Sequence, residues 1–225
     1  RIKATDQLSG GDPEVKCTVT RSNVWVWNPY TAAYVQKRAS NPYWAAYDLL
    51  HKCELLKNIQ TGANEYSIDG FPARRFDYDK YAEYGAYADE MVDGDYRFVL
   101  NLFVEGNIKM MDALNRISAV GRGVILPRGT KFSCLCDMPT SMTHIFTDGN
   151  ITNGTMQGEW QSVENRSRSV EVSFWNKEKN YTKDMAIYLS DEYNEDGMVP
   201  NPTQVTYYGI TDYAHAYREA AFLAR

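Results

Sequence analysis

The sequence predicts an α+β fold, and three observations carry that prediction. Helical and strand periodicities are both present. They do not alternate one for one, as a doubly wound sheet requires. Strand patterns crowd towards the two ends, while the helical patterns gather in the middle and one closes the chain. The 225 residues suit one large domain or two modest ones.

The elements follow in order. Residues 1–13 are polar and hold Gly10-Gly11-Asp12-Pro13, a linker or loop. From Glu14 to Thr20, Val15, Cys17 and Val19 alternate with polar residues, a strand pattern. Ser22 to Val35 continues it with Trp25, Trp27, Tyr30 and Tyr34 around the turn Asn28-Pro29, so a hairpin is expected. At Ser40-Asn41-Pro42 the period changes. Asn41 is a good N-cap and Pro42 a good first helical residue, and Trp44, Tyr47 and Leu55 carry a helix to about Leu56. Residues 57–77 read as a long irregular connection. Asp77 is placed to cap a second helix with Tyr81, Tyr84, Ala88 and Met91 on one face.

Tyr96 to Glu105 alternates on two largely apolar faces, the mark of a buried strand. A third helix is expected with Ile108, Met111, Leu114, Ile117 and Val120 along its apolar side. Val124–Leu126 and Lys131–Cys136 flank Pro127-Arg128-Gly129 as a hairpin. Met138 to Gly154 is rich in Pro, Thr, Asn and Gly and marks a domain border. Strand patterns recur at 155–163, 168–176, 183–189 and 203–208, and Thr211 or Asp212 caps a last helix with Ala214, Tyr217, Ala221 and Ala224 on one stripe.

Composition excludes several classes. Apolar residues at 44% and charged residues at 24% rule out fibrous, collagen-like and wholly disordered chains. A net charge of −5 argues against binding nucleic acid by phosphate neutralisation. No run of eighteen apolar residues exists, so no membrane span is expected. A chain that opens on Arg1 and closes on Arg225 within a helical pattern reads as a piece of something longer. Cys17, Cys53, Cys134 and Cys136 are few and unevenly placed, and read as buried free thiols.

Motifs that carry chemistry are scarce. His51, His144 and His215 are too scattered for a metal site. There is no nucleophile elbow, phosphate loop or dinucleotide fingerprint, and no cofactor is expected. Acidic residues cluster at Asp89-Glu90-Asp93-Asp95 and Asp191-Glu192-Glu195-Asp196, which suits solvated loops and, less well, the paired carboxylates of a glycan hydrolase. The aromatic excess stands out: 17 Tyr against 8 Phe, with 5 Trp. Tyr and Trp join an apolar body to a polar tip. That suits half-buried faces, subunit or partner interfaces, and sugar-stacking surfaces. Trp25, Trp27, Tyr30, Tyr34 and Trp44 are the candidate interface residues.

Five segments then resemble, in one order, the phage tail tip attachment protein J (host specificity protein) family. They are Asn41-Pro42-Tyr43-Trp44-Ala45-Ala46-Tyr47-Asp48-Leu49-Leu50, Tyr87 to Gly94, Arg97 to Val104, Met110 to Leu114, and Tyr208 to Ala220 with its Ala214-His215-Ala216-Tyr217-Arg218 core. The family's Tyr-Gly-apolar-Gly after the first helix is replaced by Leu56 to Gly62, and its Gly-rich loop is reduced to Asp93-Gly94-Asp95.

The resemblance implies a baseplate hub of a phage or prophage tail tip. It implies a β-rich, split-barrel-like hub domain with an inserted α+β domain of three helices and a small antiparallel sheet. Residues 1–38 would pair with the C-terminal part, 39–154 would form the insert, and 155–225 the hub domain with its closing helix. Its implied partners are two further copies in a homotrimer, the distal tail protein ring, the tape-measure protein and the tail tube. The host receptor would be met through other regions of a longer chain. The implied place is the virion tail tip, with assembly in the bacterial host. The family offers no catalytic residues to carry over. A carbohydrate-binding module using Trp25, Trp27, Trp44 and Trp160, and a tail-associated glycan hydrolase, are the rival expectations.

Overall fold

A computed structural model describes residues 21–57, 64–104, 107–147, 149–152, 157–159, 169–189 and 202–224. The expected strands at Glu14–Thr20 and, for the most part, at 155–163 lie outside the described residues; 157–159 carry no regular structure. The described chain is α+β, as expected.

Two hairpins bracket the first helix. β1 (Asn23–Asn28) pairs with β2 (Ala33–Arg38), antiparallel. α1 runs Pro42–His51, begun by Asn41, whose side chain accepts the N–H groups of Tyr43 and Trp44, with Pro42 at the first turn. The helix stops at His51 and does not reach Leu56. The backbone of residues 70 and 71 takes its last carbonyls: Gly70 N–H donates to His51 O at 3.2 Å and Phe71 N–H to Leu50 O at 2.9 Å. Gly70 permits that approach, since a Cβ there would lie 2.1 Å from Leu50 O. Lys52 turns into the left-handed region (φ 48) and the chain leaves as β3 (Cys53–Lys57), paired with β4 (Asn64–Ile68). The expected irregular connection therefore contains a strand.

α2 (Tyr78–Ala88) buries Tyr81, Tyr84 and Ala88 as expected. Met91 instead lies beyond the helix, in the two-residue strand β5 (Met91–Val92), and is exposed. Asp77 stands at the N-cap position but makes no capping bond; its carboxylate accepts Ser133 Oγ at 2.9 Å. Next comes a correction. The expected strand Tyr96–Glu105 is reduced to β6 (Asp95–Tyr96), paired with β5. Phe98 and Leu100 are buried as the alternation implied. Their backbone N–H groups are taken singly, by Ala88 O and Ser40 O, and that of Asn101 by Gly209 O, so no neighbouring strand forms.

α3 (Met110–Ala119) buries Leu114 and Ile117 and leaves Met111 exposed. β7 (Gly123–Arg128) and β8 (Lys131–Cys136) form the expected hairpin. β9 (Ser169–Asn176) lies between β10 (Thr182–Leu189), antiparallel, and β11 (Pro202–Thr206), parallel. α4 (Tyr213–Leu223), capped by Asp212, packs on the face carrying Val170, Val172, Phe174 and Ala186.

The described strands make one three-stranded and four two-stranded sheets, and no barrel closes among the described residues, where a split-barrel-like hub domain was expected. The hairpins lean largely on helices: β1 on α1, β7 on α3, β8 on α2. The buried apolar residues nevertheless form one continuous cluster, from Val24 and Val26 through Trp44, Tyr81, Leu114 and Ile125 to Phe174 and Ala220. No helix among the described residues is long and apolar enough to cross a membrane.

Candidate functional site

Strand alternation sorts β1 into two faces. Val24 and Val26 are buried at 2% and 0% exposure on the α1 side, which sends Trp25 and Trp27 to the other face. The register sets Trp27 opposite Tyr34 on β2, with ring centroids 5.1 Å apart. Tyr66 on β4 then joins the two hairpins, 5.3 Å from Trp25 and 4.3 Å from Tyr34. Leu55, directly across from Tyr66, and Ile68, two residues further along β4, extend the same surface; these three are 36–44% exposed. The result is a half-exposed aromatic and aliphatic surface laid over two hairpins.

His51 anchors it from below. Its Nδ1 lies 2.6 Å from Phe71 O, an acceptor only, so Nδ1 carries the proton and Nε2 accepts the Tyr34 hydroxyl at 3.1 Å. Burial lowers the pKa of His51 and, together with Cys53 and Tyr66, lifts Tyr34 to about 12, so both are neutral and hold this arrangement across the physiological range.

The five expected interface residues divide. Trp25, Trp27 and Tyr34 share the surface. Tyr30 stands at the β1–β2 turn, 75% exposed, its hydroxyl donating to Asp79 and its ring edge-on to Tyr78 at 6.0 Å. Trp44 is 2% exposed and packs among Tyr47, Tyr78 and Tyr81, so it serves the core and has no surface to offer. Tyr66, Leu55 and Ile68 are the members that sequence reasoning missed. The alternation Glu65-Tyr66-Ser67-Ile68 was the available signal.

The ring planes bear on sugar stacking. Trp25 meets Tyr66 at 73° and Trp27 meets Tyr34 at 69°. Neither indole is therefore coplanar with its tyrosine neighbour, while Tyr34 and Tyr66 lie 31° apart. Trp160 lies outside the described residues. In the first acidic cluster, Asp89 is held by Arg38 and Glu90 by Arg97; the second lies outside the described residues. No group of three or more His, Cys, Asp or Glu among the described residues is arranged to hold a metal ion. Cys53 and Cys134 are buried free thiols and Cys136 a partly buried one.

Two polar features lie elsewhere. Arg21 grips Asp48 with both terminal nitrogens, beside a 380 Å³ depression that also touches Lys52, Glu54 and Asp69. Arg122, which follows α3, reaches the fully buried Glu219 of α4.

The site is thus a surface and not a cleft. No protein-family model matches the chain. The chain is similar to the Tip attachment protein J of Escherichia phage SECphi27, 23% identical over 195 residues. The match covers 83% of this chain and 15% of that protein, so the chain spans a small part of its relative's length. The two are distant homologues.

Proposed function

We propose that this chain is a structural module of a phage or prophage tail tip, a hub segment that fits against neighbouring subunits at the end of the tail tube. The observation that carries the reading is the aromatic surface of Trp25, Trp27, Tyr34 and Tyr66, set on a chain homologous to a tail tip attachment protein. Tyr and Trp are the residues that anchor protein interfaces, because their rings bury much area at little entropic cost and their polar tips stay satisfied. Its neighbours are further copies of the same protein in a homotrimer, the distal tail ring, the tape-measure protein and the tail tube. Host attachment is carried by other regions. The place of action is the virion tail tip.

The test is complementation. A phage lacking its tip gene is supplied in trans with the full-length gene carrying Trp27→Asp or Tyr66→Asp. Tails that stall in assembly, seen by electron microscopy, support the reading. Full numbers of complete, infectious tails with both variants overturn it.

A further inference from the structure

The backbone beyond β8 is tied at two points and free between them. Asp137 N–H donates to Arg122 O at 2.9 Å. From Met138 to Phe146 no helix or strand forms, and no backbone N–H donates to another described residue. The chain is caught again at Thr147, whose N–H donates to Asn150 Oδ1, while Asn150 Nδ2 donates to Ile145 O, both at 2.8 Å. Residues 139–147 are all exposed, Met142 at 81%. An endoprotease takes its substrate as an extended strand, through backbone hydrogen bonds, with one side chain in a pocket beside the bond it cuts. Exposed segments with an unengaged backbone are where such enzymes act. Met142 offers the apolar side chain and a free backbone on both sides. Phe146 is also 75% exposed, but the bond after it belongs to the turn that Asn150 closes.

A cut at Met142 would not part the molecule. Asn101 N–H donates to Gly209 O at 2.9 Å and Asn101 Nδ2 to Thr211 Oγ1 at 2.8 Å. Arg122 meets the buried Glu219. Gly209 lies so close that a Cβ there would stand 2.6 Å from Leu100 Cδ1 and 2.9 Å from Val120 Cγ2. The buried apolar cluster runs without a break from the residues before the segment to those after it.

We propose that the Met142–Thr143 bond is a processing site for an endoprotease with an apolar specificity pocket, and that the two products stay together as one folded body. Water adds across the amide, leaving a carboxylate on Met142 and an ammonium on Thr143. Both new charges emerge in solvent, so neither is desolvated. The proposal does not rest on the tail tip reading.

The experiment treats the intact chain briefly with dilute subtilisin, maps the products by mass spectrometry and passes them over a sizing column. The expected result is cleavage after Met142 ahead of cleavage after Phe146, with the two products in one peak that separates only in urea. Thr143 is exposed, its N–H has no described acceptor and its φ is not positive, so Thr143→Pro should keep the parent melting temperature. It should also lose the cut, because proline turns the bond into a tertiary amide with no N–H. A Met142–Thr143 bond still intact when the parent band is gone overturns the proposal. So does cleavage of Thr143→Pro at the parent rate at this bond, or separation of the two products without denaturant.

Discussion

Arg122 Nε lies 2.9 and 3.1 Å from the two carboxylate oxygens of Glu219, a side chain with no solvent exposure. The guanidinium is packed 3.9 Å from the Phe222 ring centroid and 5.4 Å from that of Phe98. This contact ties α4 to the chain just after α3. Removing one partner of a buried pair strands the other charge, while removing both need not. Arg122→Met is therefore expected to destabilise the fold by about 3–5 kcal/mol. Arg122→Met with Glu219→Met should recover most of that loss. Urea denaturation of the two variants beside the parent chain measures both numbers.

The same cluster sets a pH dependence. Burial raises Glu219 to about 7, against the opposing pull of Arg122 and Arg218, and burial lowers His215 to about 3, helped by Arg218 and Arg122. An acid with a raised folded pKa adds stability as pH falls from that value to its unfolded one. A base with a depressed folded pKa loses stability as pH falls from its unfolded value. From about pH 6.5 to 4.5 the two trends oppose each other, with His51 adding to the loss. Glu219→Gln keeps a hydrogen-bond partner for Arg122 but removes the gain. In that window the variant should lose stability on acidification by up to about 1.4 kcal/mol per pH unit more than the parent chain. Denaturation midpoints across the window decide it; parallel curves would refute the assignment.

The element list was largely legible because period and punctuation agreed. Asn41-Pro42 began α1, and Val170, Val172 and Phe174 marked β9 as half buried. Three things were hidden. The end of α1 depends on Gly70 and Phe71, some twenty residues downstream, reaching back to its carbonyls. The apolar run at 97–104 reads as a strand because burial imposes alternation, whether or not another strand lies alongside. On α4 the expected stripe of Ala214, Tyr217 and Ala221 is displaced. The buried residues are His215, Ala216, Glu219 and Ala220, since Arg122 from a distant segment lets a glutamate face inward. The aromatic surface was half legible. Trp25 and Trp27 were in view, whereas Tyr66 appeared only once β4 was placed beside β2.

Gly85 offers a test of the helix packing. Trp44 lies on α2 at Gly85, and a Cβ built there falls 2.7 Å from the indole nitrogen. Asn41, the N-cap of the helix that carries Trp44, fixes the same point, its Nδ2 donating to Gly85 O at 2.8 Å. Alanine is the better helix former by about 1 kcal/mol, which pulls towards stability. Displacing a buried indole costs about 1–3 kcal/mol and works against it. Gly85→Ala is expected to lower stability on balance and to shift the Trp44 fluorescence. Gly94 has nothing within 4 Å but a φ of +91, so Gly94→Ala should destabilise through backbone strain alone, with that fluorescence unchanged.

Core and surface tryptophans should separate when truncated. Trp44→Ala removes a ring 2% exposed and leaves a void between α1 and α2, for an expected loss of about 3–5 kcal/mol. Trp27 is only half buried and its main ring partner is Tyr34, so Trp27→Ala should cost about 1–2 kcal/mol. If the surface serves an interface, the order reverses in an assembly assay. Trp27→Ala in the full-length protein should reduce complete tails well beyond what its small stability loss explains. Tyr30→Phe, which removes the bond to Asp79 but keeps the exposed ring, should leave both stability and assembly near the parent level. Thermal melting beside tail counts reads the two effects separately. Equal and proportionate losses for Trp27 and Trp44 would mean that the aromatic face is only the lid of a core.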